Sequence, residues 1–310
     1  MIIPRRLAMH IENMLQQFPV VSLTGPRQSG KTTLLKNYFP DYEYYNLERI
    51  DHKELILSDP LGFLKSHNKP LIFDEAQNAP DIFSYIQVTS DERNIPGQFI
   101  VSGSQSFLLN QKISQSLAGR VNINHLFPFD IIELTSSYQA DLYDILINGS
   151  YPRIYKQKIA PYDFYPSYIQ TYIERDIRTL KNIENLNTFT RFLGLCAGRI
   201  GQILNLSSLA NDTGISVNTA KAWLSLLESS FIIYLLQPYY KNFNKRLIKA
   251  PKLFFYDTGL ASSLLKLKNP DDLNTHYLYG SLFENLIINE IIKNYYHCGT
   301  NPSVYYWRES

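Results

Sequence analysis

An α/β fold built on a parallel sheet is predicted by two observations in the first half of the chain. Short apolar runs at 20–24, 71–73 and 99–101 alternate with amphipathic stretches, the pattern of strands buried on both faces and joined by helices. Each run ends in small or polar residues: Thr24-Gly25, Asp74-Glu75 and Ser102-Gly103-Ser104. These residues are therefore expected along the carboxyl edge of one sheet, where open α/β sheets bind ligands.

The elements follow in order. Val20-Val21-Ser22-Leu23-Thr24 predicts the first strand, followed at once by a glycine-bounded loop. Thr32 to Tyr38 predicts a helix that stops near Pro40. Leu71-Ile72-Phe73 predicts a second strand after Pro70, and Phe99-Ile100-Val101 a third after the Pro96-Gly97 turn. Asn148-Gly149-Ser150-Tyr151-Pro152 is turn-rich and marks the expected end of a first domain, 1–148. From Tyr165 to Asn182 the pattern is helical, with Tyr168, Tyr172 and Arg175 on one face. Helical periodicity runs on to about Glu228, and strand-like composition follows from Phe231 to Tyr256. A second, mostly helical domain is expected over 149–278. Gly280 to Lys293 predicts a final helix and Val304 to Trp307 a strand, so a partial α/β region is expected over 279–310.

Composition narrows the classes. The 310 residues hold 30 Lys+Arg against 28 Asp+Glu, a net charge of +2 that argues against a wholly basic nucleic-acid coat or an acidic tail. No apolar run approaches the roughly 18–20 residues that span a bilayer, so no membrane partner is expected. Arg5 and Arg6 have no apolar stretch behind them, unlike a secretory signal. Cys196 and Cys298 lie far apart without metal-type spacing, which fits two reduced thiols in a cytoplasmic protein.

Gly25-Pro26-Arg27-Gln28-Ser29-Gly30-Lys31-Thr32 has every fixed position of G-x-x-x-x-G-K-[ST], with Thr33 next in the helix. The glycines let the backbone wrap a phosphate closely, so that successive N–H groups face it. The helix that starts there adds its positive end. Lys31 carries charge to the β/γ-phosphates of a nucleotide, and Thr32 offers a hydroxyl to Mg²⁺. Asp74, at the end of a buried strand, suits Mg²⁺ held through water, and Glu75 suits orientation or deprotonation of an attacking water. ATP and Mg²⁺ are thus the expected ligands. Ser104 and Gln105, after the third strand, are both candidates for a γ-phosphate or water contact, and the spacing does not choose between them. Arg120 is either a phosphate contact, in its own subunit or a neighbour's, or an ordinary surface arginine. Arg27 reads as scaffold within the loop.

The run Leu23-Thr24-Gly25-Pro26-Arg27-Gln28-Ser29-Gly30-Lys31-Thr32-Thr33, with Ile72-Phe73-Asp74-Glu75-Ala76-Gln77, Ser102-Gly103-Ser104 and Leu117-Ala118-Gly119-Arg120, resembles the AAA-like ATPases of bacteria and archaea. Those proteins carry a C-terminal domain of unknown function 4143. Gly149-Ser150-Tyr151-Pro152, Tyr172-Ile173-Glu174-Arg175-Asp176-Ile177, Tyr256-Asp257-Thr258-Gly259-Leu260 and Gly280-Ser281-Leu282-Phe283-Glu284-Asn285 agree with the resemblance, which covers nearly the whole chain. It implies ATP binding and hydrolysis and leaves the biological role undefined.

Ser207 to Glu228 reads as helix–turn–helix, with Gly214 at the turn and Ser216 as the second cap. Ala220, Trp223, Leu224 and Leu227 are expected inward, and Asn218, Lys221 and Ser225 outward. Strands at 231–236 and 252–256 complete an expected winged helix. No acid lies between Glu228 and Asp257, whereas Lys241, Lys245, Arg246, Lys249 and Lys252 do, interleaved with Tyr239, Tyr240 and Phe243. Such a wing fits DNA phosphates; the helix itself has few groups for reading bases, and a protein contact is the competing expectation. The resemblance further implies that the region of Glu284 begins a restriction-endonuclease-like fold. That fold needs an Asp and a Glu-x-Lys on later strands, and the chain ends at Ser310 after the first of them. Glu284 reads as a capping or surface acid, and the end reads as a truncation or a shortened gene product. The expected function is a Mg²⁺-ATP-dependent ATPase acting as a switch on a nucleic-acid or protein partner. The alternatives are an ATP-liganded DNA-binding regulator or, in a longer chain, a nucleotide-controlled nuclease.

Overall fold

The computed structural model describes residues 3–104, 116–173, 185–239 and 249–307. It contains two compact units: residues 2–127 with 295–300, and residues 128–294 with 301–310. Glu174–Ile177 of the expected tyrosine-bearing helix, Gln105, Tyr240, Lys241, Phe243, Lys245 and Arg246 lie outside the described residues.

The first unit holds helices α1 (Leu7–Leu15), α2 (Lys31–Tyr38), α3 (Ile50–Ser58), α4 (Pro60–Ser66) and α5 (Ile82–Arg93). Strands β1 (Val20–Thr24), β2 (Glu43–Asn46), β3 (Leu71–Asp74), β4 (Phe99–Gly103) and β5 (Val121–His125) form one parallel sheet in the order β2-β3-β4-β1-β5. β1, β3 and β4 are buried along their whole length, because both faces are covered. Alternate residues enter opposite layers. Val20, Phe73, Phe99 and Val101 pack with Ile56 of α3, Phe63 and Leu64 of α4 and Phe83 of α5. Val21, Leu23, Ile72 and Ile100 pack with Leu7 and Ile11 of α1 and Leu34 and Leu35 of α2. Burying each such side chain is worth roughly 1.5–3 kcal/mol.

Register fixes the site. Val20 pairs with both Phe99 and Val121, so Thr24, Gly103 and His125 end level with one another. Asn46 pairs with Asp74 at the same edge. The edge strands β2 and β5 were not among the expected elements.

The second unit begins earlier than the expected boundary at 148/149. Helices α6 (Ile131–Thr135) and α7 (Leu142–Asn148) open with capping boxes at Asp130–Glu133 and Asp141–Asp144. Helix α8 (Pro152–Gln157) follows, then α9 (Pro161–Tyr168), which loosens into a π turn over Ile169–Ile173. Gly149-Ser150-Tyr151-Pro152 is not a linker: Ser150 and Tyr151 are buried. Asp257 accepts hydrogen bonds from the Ser150 N–H at 2.8 Å, the Ser150 hydroxyl at 3.1 Å and the Tyr165 hydroxyl at 2.6 Å. It also caps α13 (Thr258–Leu264) through the Leu260 N–H at 2.9 Å. Thr258 and Ser262 donate to the carbonyls of Ile145 and Leu146, tying α7 to the same core.

Between these lie α10 (Leu186–Ala197), α11 (Leu206–Thr213) and α12 (Val217–Ser229). Gly214, at φ +81°, makes the turn from α11, and the Ser216 hydroxyl accepts the Thr219 N–H at 3.0 Å to start α12. Ala220, Trp223, Leu224 and Leu227 are buried, with the Trp223 indole edge-on to Phe189 and Phe192; Asn218, Lys221 and Ser225 are exposed. β6 (Ile233–Leu236) and β7 (Lys252–Phe255) form an antiparallel pair.

Helix α14 (Pro270–Thr275) precedes α15 (Tyr279–His297). Residues 279–294 belong to the same compact unit as 128–278, so the expected separate region from 279 is not a body of its own. Glu284 lies inside α15 and not at its cap; it is a surface acid, with its side chain 40% exposed, and its carboxylate takes the Lys252 ammonium at 2.7 Å. Lys252, one of the five basic residues between Glu228 and Asp257, is thus ion-paired. Among the described residues, the expected strand at 304–307 is a single parallel bridge between Tyr306 and Pro238, in which the Tyr239 N–H donates to the Tyr306 carbonyl at 2.8 Å and the Tyr306 N–H to the Gln237 carbonyl at 3.1 Å. Among the described residues, no helix is long and apolar enough to cross a membrane.

Candidate functional site

The loop from Gly25 to Gly30 leaves β1 and enters α2. Gly25 has φ +146°, and a Cβ there would sit 2.1 Å from the Leu126 carbonyl oxygen. Gly30 has φ +101° at the cap of α2, leaving that helix end without a side-chain cap. Both positions thus need glycine, one for closeness and one for conformation. The helix end presents unpaired N–H groups, which suits a phosphate.

Lys31, on the first turn, is buried and donates to the carbonyls of Gly25 and Pro26 at 2.9 Å each. Burial lowers its pKa to about 8, against the opposing pull of Glu75 and Asp74, while the like charge of Arg27 lowers it further. Thr32, exposed beside it, donates its hydroxyl to Asp74 Oδ2 at 2.6 Å. Thr33 is exposed, and its carbonyl accepts from Asn37 at 2.6 Å. Gln28 is exposed, Arg27 half-buried, and Pro26 and Ser29 buried.

Asp74 is held by four donors. Oδ2 also accepts the Tyr44 hydroxyl at 2.5 Å, while Oδ1 accepts the Ser102 hydroxyl and the Glu75 N–H. These bonds fix the carboxylate beside Thr32, and the Tyr44 pKa is pushed up by burial and by Asp74. The oxygen donors of Thr32 and Asp74 fit a hard cation such as Mg²⁺. Glu75 takes a left-handed backbone, φ +55° and ψ +44°, which costs of order 1 kcal/mol in a residue with a Cβ. Its Oε2 accepts from Gln77 Nε2 at 2.6 Å and from the Ser104 hydroxyl at 3.0 Å.

Lys31, Thr32, Asp74, Glu75 and Ser104 therefore lie together at the carboxyl edge of the sheet. Arg120 does not join them in its own chain. It precedes β5 at the amino edge, a five-residue strand away, about 16 Å at the usual rise. There it pairs with Asp91 of α5, Nη2 to Oδ2 at 2.9 Å. Lys249 is exposed in the second unit.

Sequence reasoning missed Tyr44, Ser102 and Gln77 as partners of the two acids, and it missed Arg5. Ser102 was legible as the small polar end of a buried strand. Tyr44 and Arg5 carried no local signal, since their partners lie 30 and 24 residues away.

Residues 17–135 match the family model described as an AAA domain, and residues 139–271 match a domain of unknown function, DUF8612. The latter stands where the resemblance led us to expect domain of unknown function 4143. An uncharacterized protein of Mycobacterium tuberculosis is 31% identical over 317 residues, covering 99% of this chain and 69% of the relative. One of Mycobacterium bovis matches equally. An uncharacterized protein of Haemophilus influenzae is 20% identical over 328 residues, covering 92% of this chain and 79% of the relative. The Walker-type ATPase of Pyrococcus abyssi superposes with a TM-score of 0.56 at 15% identity, over 85% of this chain and 96% of that one. This last likeness is one of fold.

Proposed function

We propose a function from the premise that this chain belongs to the family of the mycobacterial relatives, with an AAA domain at residues 17–135: it binds ATP with Mg²⁺ and hydrolyses it to drive a switch. The observation that carries this reading is the convergence of Lys31, Thr32, Asp74 and Glu75 on the end of β1. Backbone N–H groups of residues 27–33 and the Lys31 ammonium would hold the β- and γ-phosphates. Thr32 and Asp74 would hold Mg²⁺, which supplies charge neutralisation on the phosphate oxygens. Glu75 would take the proton of a water whose oxygen bonds to the γ-phosphorus as the β–γ bridging oxygen leaves with its electron pair on ADP.

In the present arrangement the Glu75 carboxylate is engaged by Gln77 and Ser104. Release of Glu75 toward water on binding would couple nucleotide state to the loops after β3 and β4, and so to a partner. Ser104, and Gln105 beside it, would then be free to contact the γ-phosphate. Arg120 would serve only a neighbouring copy's nucleotide. A cytoplasmic setting fits the two unpaired cysteines.

A second reading makes the helix–turn–helix a DNA contact. It is favoured by the exposed Asn218, Lys221 and Ser225 along α12, with Lys249 and the basic residues Lys241, Lys245 and Arg246 nearby in sequence. One experiment addresses both. Phosphate release from ATP by the purified chain is followed with Mg²⁺ or EDTA, with and without duplex DNA at low salt. Magnesium-dependent release is expected, and its absence with every nucleoside triphosphate would overturn the ATPase reading. The DNA reading stands only if duplex binds and is released by added salt.

A further inference from the structure

Arg5 lies twelve residues before the matched AAA segment begins at residue 17, yet its side chain reaches the nucleotide loop. It is only 6% exposed. Nη1 donates to the Ser29 carbonyl at 2.7 Å, and Nη2 donates to the Phe127 carbonyl at 2.6 Å. Its own N–H donates to the Tyr38 hydroxyl at the far end of α2, at 3.1 Å. Buried Ile3 and Leu7 fix the backbone on either side. The segment thus spans α2 from the loop before its first residue to its last.

The α2 ladder begins with the Gly30 carbonyl, which accepts from Leu34 at 2.9 Å, so Ser29 O lies one residue before helical bonding starts. In a trans peptide the C=O and the following N–H point opposite ways. Fixing Ser29 O toward Arg5 therefore fixes the Gly30 N–H away from it. Phe127 follows Leu126, whose N–H donates to the Thr24 carbonyl at 2.8 Å and whose carbonyl crowds Gly25. One planar guanidinium consequently spans both ends of the loop, the Gly25 end through the chain leaving β5 and the Gly30 end directly.

We propose that Arg5 is a positioning residue for the triphosphate. It presets the loop so that its N–H groups are aimed before nucleotide arrives, and so sets affinity from outside the AAA segment. This inference rests on the ATP-binding reading. A forked donor is required, because a lysine ammonium keeps the charge but cannot span two carbonyls with one rigid plane.

The test compares wild type, Arg5→Lys and Arg5→Ala by titration with fluorescent ATP and ADP analogues and by steady-state hydrolysis. ATP and ADP dissociation constants are expected to rise together by about 10- to 100-fold in both variants, the loss of charge-assisted hydrogen bonds. The turnover rate at saturating ATP should change far less, since Arg5 touches neither acid. Millimolar guanidinium should restore affinity to Arg5→Ala, and methylammonium should not. Unchanged affinity in Arg5→Lys, or a loss confined to turnover, overturns the proposal. Lowered thermal stability with intact affinity overturns it too and leaves Arg5 a fold residue only. If Arg5→Ala does not fold, Arg5→Lys alone decides. Wild type that binds no nucleotide removes the ATP reading and this one with it; binding wild type with unaffected variants removes only this one.

Discussion

Replacing Lys31 by alanine raises the dissociation constant for ATP at least a hundredfold. The ammonium now rests on the Gly25 and Pro26 carbonyls and would be exchanged onto phosphate oxygens. Each charge-assisted contact is worth about 1.5–3 kcal/mol, and two of them give about 3 kcal/mol or more. Calorimetric titration reads this directly, and an affinity within threefold of wild type would remove Lys31 from the site. The empty fold should not weaken in proportion. Burial lowers the Lys31 pKa from 10.5 to about 8, so holding the charge at pH 7 works against folding by roughly 3 kcal/mol. Between those two pKa values the unfolded chain keeps the proton and the folded chain releases it. Wild-type stability should therefore rise as pH climbs from about 8 to 10.5, a rise that Lys31→Ala lacks in denaturant titrations.

Glu75→Gln should retain ATP and lose turnover by about 10²- to 10⁴-fold, the usual contribution of a positioned general base. The change is close to isosteric. A glutamine oxygen still accepts from Ser104 and Gln77, and the left-handed backbone asks the same of either residue. Only the capacity to take a proton disappears. Single-turnover hydrolysis beside equilibrium binding separates the two steps, and turnover within threefold of wild type would show that another group orients the water. The arrested variant is also the useful bait for a partner of the ATP-bound state.

Much of the first unit was legible because its signals are local. The loop from Gly25 to Thr32 has fixed spacing, and β1, β3 and β4 are continuous apolar runs that need no partner to be recognised. The edge strands escaped for the opposite reason. Glu43-Tyr44-Tyr45-Asn46 is half-buried throughout, and Val121-Asn122-Ile123-Asn124-His125 is polar at alternate positions. Tyr44 owes its bond to Asp74 to the register of β2 on β3, which no composition reveals. Gly149-Ser150 reads as a turn, and Gly149 does have φ +67°. The Ser150 N–H, however, donates to a carboxylate 107 residues away, inside the core. The two helices α11 and α12 were readable because the Gly214 turn, the Ser216 cap and the apolar face all fall within residues 206–229.

That carboxylate, Asp257, also bears on time. Its bonds to Ser150 and Tyr165 span 107 and 92 residues of chain, so they form only after large loops have closed. Bonds that form on the native side of the folding barrier slow departure more than they speed arrival, and that is the side expected for these two. Asp257→Asn should therefore unfold faster while folding at nearly the wild-type rate in stopped-flow measurements; slowed folding would place the cluster in the nucleus instead. The second unit would then persist by virtue of a late-closing latch, its lifetime set by a single buried acid.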